Sequence, residues 1–337
     1  MKGLNFRQRM IRAIACIAII ASCTSMVEAK SSDELASAAK AEGKLTFYAS
    51  NHPDLTARLV KAFNATYPGI SVEVVRLATG PLGKRYAAEA EAGNVTADLL
   101  QLADPLLIRD VAAKGYLSPV DNLTGFAAWP ADYKNEFYVV GAISLMTISY
   151  NTDLVQGEEI PKAWTDLLHP RFKGQILMAD IRHSPATLDW LVLMEKTYGP
   201  EFVDKLAAQD IRFVASTVPG TQLMSAGEAE ILAPNQRQVT FPVIDKGGPV
   251  GDVLAEPTVA HESFVAISKG AKNPNAAKLF LEFMMTMEGQ EALNMHVNSS
   301  ALPDVPNTDK LPQSFRRADL ENSIKERARL AAKFGLN

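Results

Sequence analysis

Within residues 45–77 the apolar pattern switches from a strand period to a helix period and back, and this alternation constrains the fold more than any other feature. Residues 45–50 (LTFYAS) are a short apolar and aromatic run that reads as a strand. Leu55, Leu59, Phe63 and Tyr67 follow at four-residue spacing, a stripe along one helix face. Asn51 is placed to cap that helix, Pro53 suits its first turn, and Pro68 and Gly69 stop it. Residues 70–77 (ISVEVVRL) then alternate as a strand does. A strand, a helix and a strand in this order make a β-α-β unit with a right-handed crossover.

The same switching runs down the rest of the chain. Helices are expected over 79–92, 105–114, 186–198, 201–208, 220–226, 275–287 and 289–296, with a charged amphipathic helix over 315–334. Strands are expected over 97–102, 175–179, 211–214, 229–232 and 263–267, and a long strand-forming stretch over 138–150 reads as broken near 142–144. The pattern predicts an α/β fold with mixed, mostly parallel sheets covered by helices on both faces. With 337 residues, 47% hydrophobic and 21% charged, the chain has enough apolar side chains for a large core, which excludes disordered, collagenous and coiled-coil classes. A chain this long divides more naturally into two lobes than one, given domains of roughly 100–200 residues.

The first 29 residues read as an address. Lys2, Arg7, Arg9 and Arg12 precede the apolar run 13–21, which is too short to span a bilayer, and Val27-Glu28-Ala29 offers small residues where signal peptidase cuts. Ile20-Ala21-Ser22-Cys23 is a competing lipobox that would tether the protein at Cys23, but it lacks the usual Leu; cleavage after Ala29 and export to the periplasm are favoured. Cys16 and Cys23 are the only two cysteines, so none is left for a disulfide, a zinc site or a thiol nucleophile. Removing four basic residues and one acid turns 34 basic against 38 acidic residues into 30 against 37, and a net charge of −4 into −7. That balance argues against nucleic acid as a partner.

Catalytic motifs fail on inspection. G-x-S-x-G and G-x-G-x-x-G are missing, and Gly80-Pro81-Leu82-Gly83-Lys84-Arg85 lacks the glycine spacing and following Ser or Thr of a phosphate loop. His261-Glu262 begins like a zinc-protease motif, but Val265 stands where the second His belongs. His52, His169, His183, His261 and His296 contain no i,i+4 pair, and Met284, Met285 and Met287 read as helix packing. The reading is a protein without metal or cofactor and without catalytic activity.

Residues 265–284 (VAISKGAKNPNAAKLFLEFM) with 288–292 (EGQEA) closely resemble the signature of extracellular solute-binding proteins of bacterial ABC importers. Residues 97–99 (ADL), 148–151 (ISYN) and 161–174 (PKAWTDLLHPRFKG) agree with it, and the likeness covers nearly all of the chain beyond the address. The group it resembles is the type II periplasmic-binding one, which includes ferric-ion, polyamine, thiamine and organophosphorus binders. The resemblance implies a monomer with two α/β lobes, one at 30–142 plus 258–300 and the other at 143–257 plus 301–337, the last carrying the C-terminal helix. It also implies a small-molecule ligand in the interlobe cleft and permease subunits of the inner membrane as partners.

In open α/β sheets the crevice lies beyond the carboxyl ends of the strands. Applied here, the rule selects Ser50, Asn51 and His52, then Thr79 and Gly80, then Asp104. In the second lobe it selects Arg182, His183, Ser184 and Thr187, then Ser216 and Thr217, then Asn235, Gln236 and Arg237. Ser, Thr, Asn51 and Asp104 at such positions also serve as helix caps. Arg182 and Arg237 beside helix N-termini would suit a carboxylate or phosphate, or else a salt bridge. Ferric binders of the group use adjacent tyrosines where this chain has Pro234-Asn235-Gln236-Arg237, and no tyrosine follows Tyr198. The favoured ligand is an organic or phosphorylated anion; the alternatives are a ferric-iron transport protein and, from another class, a secreted enzyme on the same fold.

Overall fold

A computed structural model describes residues 33–336; the export segment, with Cys16 and Cys23, lies outside the described residues. Helix α1 (residues 33–42) is followed by β1 (Lys44–Ala49), α2 (Pro53–Thr66), β2 (Ser71–Arg76), α3 (Thr79–Glu91), β3 (Leu99–Leu102) and α4 (Pro105–Ala113). The two-residue strands β4 (Leu117–Ser118) and β5 (Lys134–Asn135) precede the long strand β6 (Tyr138–Asn151). Alternation resumes with β7 (Ile176–Ala179), α5 (Pro185–Tyr198), α6 (Pro200–Ala207), β8 (Arg212–Val214), α7 (Thr217–Ser225), β9 (Ile231–Gln236), α8 (Arg237–Ile244) and β10 (Val250–Val253). The chain closes with β11 (Val259–Ser268), α9 (Pro274–Met284), α10 (Met287–Asn294), β12 (Arg316–Arg317) and α11 (Leu320–Lys333).

The strands run in the order β2-β1-β3-β11-β6-β9-β7-β8. β1 is parallel to β2 and β3, and β7 is parallel to β8 and β9, while β11 runs antiparallel to β3 and β6, and β6 antiparallel to β9; the short β12 adds to β11 in parallel. β3 and β7 are buried along their whole length, as central parallel strands covered on both faces must be. The result is a mixed α/β fold with parallel strands on either side of an antiparallel β11–β6 centre, as the resemblance implies.

β6 joins the two halves. Its residues Val139–Leu145 pair with β11, and its residues Met146–Tyr150 pair with β9. The apolar core divides at the same point: buried residues up to Leu145 and from Ala260 to Ala301 form one cluster, most of those from Met146 to Val259, with Leu330 and Ala331, form a second, and Leu177, Met224, Ala229, Leu232 and Val250 form a small third one within the second half. The first is centred on Phe47, Phe63, Phe280 and Phe283, the second on Trp164 and Trp190, whose rings meet edge to face at 4.9 Å. Each fully buried side chain of this size contributes roughly 1.5–3 kcal/mol. β6 is continuous and buried over 142–144, so the expected break is not a gap in the strand; instead Ser263 faces Ala142 and Phe264 faces Val140, which leaves Gly141 of β6 as an extra residue at the start of that stretch.

Helix α11 lies on the second lobe. Its cap Asp319 and its Ser323 donate to the buried Asp189 of α5 through the Asp319 N–H and the Ser323 hydroxyl. The signature segment is explained by a similar device. Buried Asp98 accepts from the Thr46 N–H (2.8 Å), the Asn273 N–H (2.9 Å) and the Asn273 side chain (3.0 Å), which fixes the start of α9 against β1.

Candidate functional site

A cavity of about 360 Å³ lies between the two cores, at the carboxyl ends of the parallel strands. Its first-lobe wall is built from Thr79 and Gly80 at the start of α3 and from Asp104 before α4. Its second-lobe wall is built from His183, Ser184 and Thr187 at α5, Ser216 and Thr217 at α7, and Gln236 and Gln238 at α8. The floor comes from the connecting strands, with Ser144 and Met146 on β6 and His261 and Ser263 on β11; Leu320 of α11 adds an edge.

Two glycines set the helix positions. A Cβ at Gly83 would lie 3.0 Å from Leu107 Cδ1, so α3 and α4 approach closely only because that position has none. A Cβ at Gly220 would lie 3.0 Å from Val214 Cγ2 and 3.1 Å from Leu232 Cδ1, which seats α7 directly on β8 and β9. Both close approaches bring helix N-termini to the cleft.

The five N-termini differ in their capping. Asp104 accepts from the N–H groups of Leu106 (2.8 Å) and Leu107 (3.2 Å), and Ser184 accepts from that of Thr187 (3.3 Å). At α3, α7 and α8 the cap positions are Ala78, Ser216 and Gln236, and none makes a side-chain cap bond. Three first turns, one from the first lobe and two from the second, therefore present uncapped N–H groups and the positive ends of their dipoles to one space. Of the described residues that line the cleft, none is Lys, Arg, Glu or Tyr. Its polarity comes from dipoles, hydroxyls, amides and imidazoles.

The remaining residues selected from the sequence have other partners and lie outside the cleft lining. Gln101 Oε1 accepts from the N–H groups of Ser50 (2.8 Å) and Asn51 (3.0 Å), and buried Asn51 accepts at Oδ1 from Gln101 (2.9 Å) and Ser263 (3.1 Å). Asn51 does not cap α2. His52 does, its Nδ1 accepting from the Asp54 N–H, with burial lowering its pKa. Asn235 is not in a loop, because β9 extends to Gln236; it is fully buried and donates to Ser149 and Thr221, both at 3.0 Å.

Both arginines lie outside the cleft lining and are paired with carboxylates of the protein. Arg182 folds back on Asp180, two residues away, in a forked pair with Nη2–Oδ2 at 2.7 Å, and the guanidinium holds the Asp180 carboxyl below its usual range. Arg237 is clamped between Asp252 (2.6 Å) and Asp309 (2.8 Å), partners 15 and 72 residues away. Both charges are matched locally by carboxylates.

Position-by-position reasoning missed the floor. His261 is opposite Ser144 in the β11–β6 register, each is 5% exposed, and His261 Nε2 and Ser144 Oγ have no hydrogen-bond partner. Burial pushes the His261 imidazole down to about 4, so it is neutral at physiological pH. Among the described residues no group of three or more His, Cys, Asp or Glu could hold a metal ion, and no helix is long and apolar enough to cross a membrane.

Residues 58–316 match the family of bacterial extracellular solute-binding proteins. Among solved structures the chain is similar to the substrate-binding protein of an ABC transporter from Agrobacterium tumefaciens, with a TM-score of 0.76, 19% identity, and coverage of 86% of this chain and 94% of that one. It is similar to AfuA of Actinobacillus pleuropneumoniae, solved with exogenous fructose-6-phosphate bound (TM-score 0.69, 21% identity, 88% and 99% covered). It is also similar to iron-bound HitA from Pseudomonas aeruginosa (TM-score 0.67, 18% identity, 85% and 99% covered).

Proposed function

The chain belongs to the family of bacterial extracellular solute-binding proteins, and we propose that it serves an ABC importer by capturing a small organic or phosphorylated anion between its lobes. The observation that carries this reading is the convergence of the uncapped N-termini of α3, α7 and α8 on one cleft. Such termini bind anions through fixed N–H donors and dipoles without a formal cation. The anion is assigned on helix termini rather than on Arg182 and Arg237, whose charges are matched within the protein.

A ligand that touches both walls binds the closed arrangement more tightly than the open one and shifts the population toward closure. A periplasmic location and delivery to a permease in the inner membrane follow as parts of the same proposal. The relatives named above include one with a sugar phosphate and one with iron. Fe(III) favours hard anionic donors, and the one carboxylate in the described lining, Asp104, is engaged in capping α4.

Thermal-shift screening of phosphate esters, carboxylates, polyamines and Fe(III), with native mass spectrometry of the protein from its own compartment, tests the reading. An anion at a hundred times its Kd should add about 2.7 kcal/mol and raise Tm by several degrees. A shift with Fe(III) or a polyamine and with no anion would overturn the assignment.

A further inference from the structure

Polar groups buried without partners are rare in folded proteins, and each costs about 1–3 kcal/mol. Ser144 Oγ and His261 Nε2 are two such groups on residues directly opposite one another in the β6–β11 ladder, and both residues line the cleft. Ser263, two residues along the same face of β11, also lines it. Its hydroxyl donates to Asn51 Oδ1 at 3.1 Å, so what it has left to offer is acceptor lone pairs. An anionic oxygen gains nothing from such a group, whereas a hydroxyl can donate to it. The neutral imidazole of His261 and the hydroxyl of Ser144 each combine donor and acceptor capacity, which a ligand hydroxyl matches.

We propose that Ser144, His261 and Ser263 form a hydroxyl-reading floor, so that the receptor selects a polyhydroxylated organic anion over a bare anion of the same charge. The proposal rests on the anion reading above and adds a division of labour to it. The walls, with the uncapped starts of α3, α7 and α8, hold the charged end, and the floor reads the uncharged hydroxylated body. Selectivity follows because a ligand without hydroxyls leaves the floor's polar atoms desolvated and unpaired, whereas a ligand with them does not.

The test measures calorimetric dissociation constants for two matched pairs, methyl phosphate against sorbitol 6-phosphate and acetate against gluconate. One pair probes phosphate esters and the other carboxylates as the source of the charge. The wild-type protein should bind the hydroxylated member of at least one pair about tenfold or more tightly than its bare partner. Ser144→Ala should reduce that ratio severalfold, chiefly through weaker binding of the hydroxylated member; Ser263→Ala should reduce it as well and, because Ser263 also holds Asn51, is compared only after its melting curve shows a folded protein. His261→Gln, which keeps a donor and an acceptor, should retain more of the ratio than His261→Leu. Equal affinities within both pairs, or a ratio unmoved by all four substitutions, overturns the hydroxyl-reading floor and leaves the anion reading standing. Binding of no anion by the folded protein overturns both.

Discussion

Ser263 and His261 lie two residues apart on one face of β11, yet their surroundings differ. Ser263 belongs to a closed circuit in which Asn51 and Gln101 satisfy one another and pin the backbone after β1 through the Ser50 and Asn51 N–H groups. His261 and its opposite number Ser144 carry polar atoms that nothing in the protein satisfies. The closed circuit fixes a loop, and only the spare lone pairs of Ser263 are left to face the cleft. The open pair costs stability and becomes useful when a ligand arrives, a pattern found where proteins exchange stability for binding. Arg237 belongs with the closed set, its charge held between Asp252 and Asp309.

Removing a member of a closed set should therefore damage the fold, and removing a member of the open pair should not. Arg237→Ala leaves Asp252, which is 5% exposed, without its cation, and should cost about 4 kcal/mol in urea unfolding. Retention of wild-type stability would show that the clamp is dispensable. Gln101→Leu strands the Ser50 and Asn51 N–H groups and should cost roughly 3 kcal/mol in the same assay.

His261 gives the comparison a pH dependence. Its folded pKa of about 4 lies below the unfolded value of 6.5, so the unfolded chain takes up the proton first. Its contribution is complete above pH 6.5 and declines as pH falls toward about 4, by about 3 kcal/mol in all. His261→Gln should flatten this part of the stability profile; an unchanged acid limb would mean the imidazole is accessible to a proton while folded. The smallest effect is expected for Ser144→Ala, which should change stability by less than about 1 kcal/mol, in either direction. A loss of several kcal/mol would mean Ser144 belongs to the closed set after all.

Much of this architecture was legible from periodicity. The switching between strand and helix patterns located β1, α2 and β2, and the rule about strand ends led to Thr79, Gly80, Asp104, Ser184, Thr187, Ser216 and Thr217, which the fold gathers around one cleft. The same rule also selected Ser50, Asn51 and Asn235, because strand ends are recognisable in sequence while the long-range partners that satisfy them are not: Gln101 is 50 residues from Asn51, and Ser149 is 86 from Asn235. The ion pairs of Arg237 were hidden for the same reason, since Asp309 is 72 residues distant. The floor was illegible because His261 precedes the strand expected over 263–267 and Ser144 falls in the break expected at 142–144, whereas both sit inside the paired strands β11 and β6. Only the antiparallel register sets them opposite one another.

The most direct measurement follows backbone amide chemical shifts while sorbitol 6-phosphate is titrated into ¹⁵N-labelled protein. The N–H groups of Gly80 on α3, Thr217 on α7 and Gln238 on α8 should move together and saturate along one binding curve, because one ligand is held by helix starts from both lobes. Saturable binding that leaves these three amides unmoved would contradict a ligand site between the lobes.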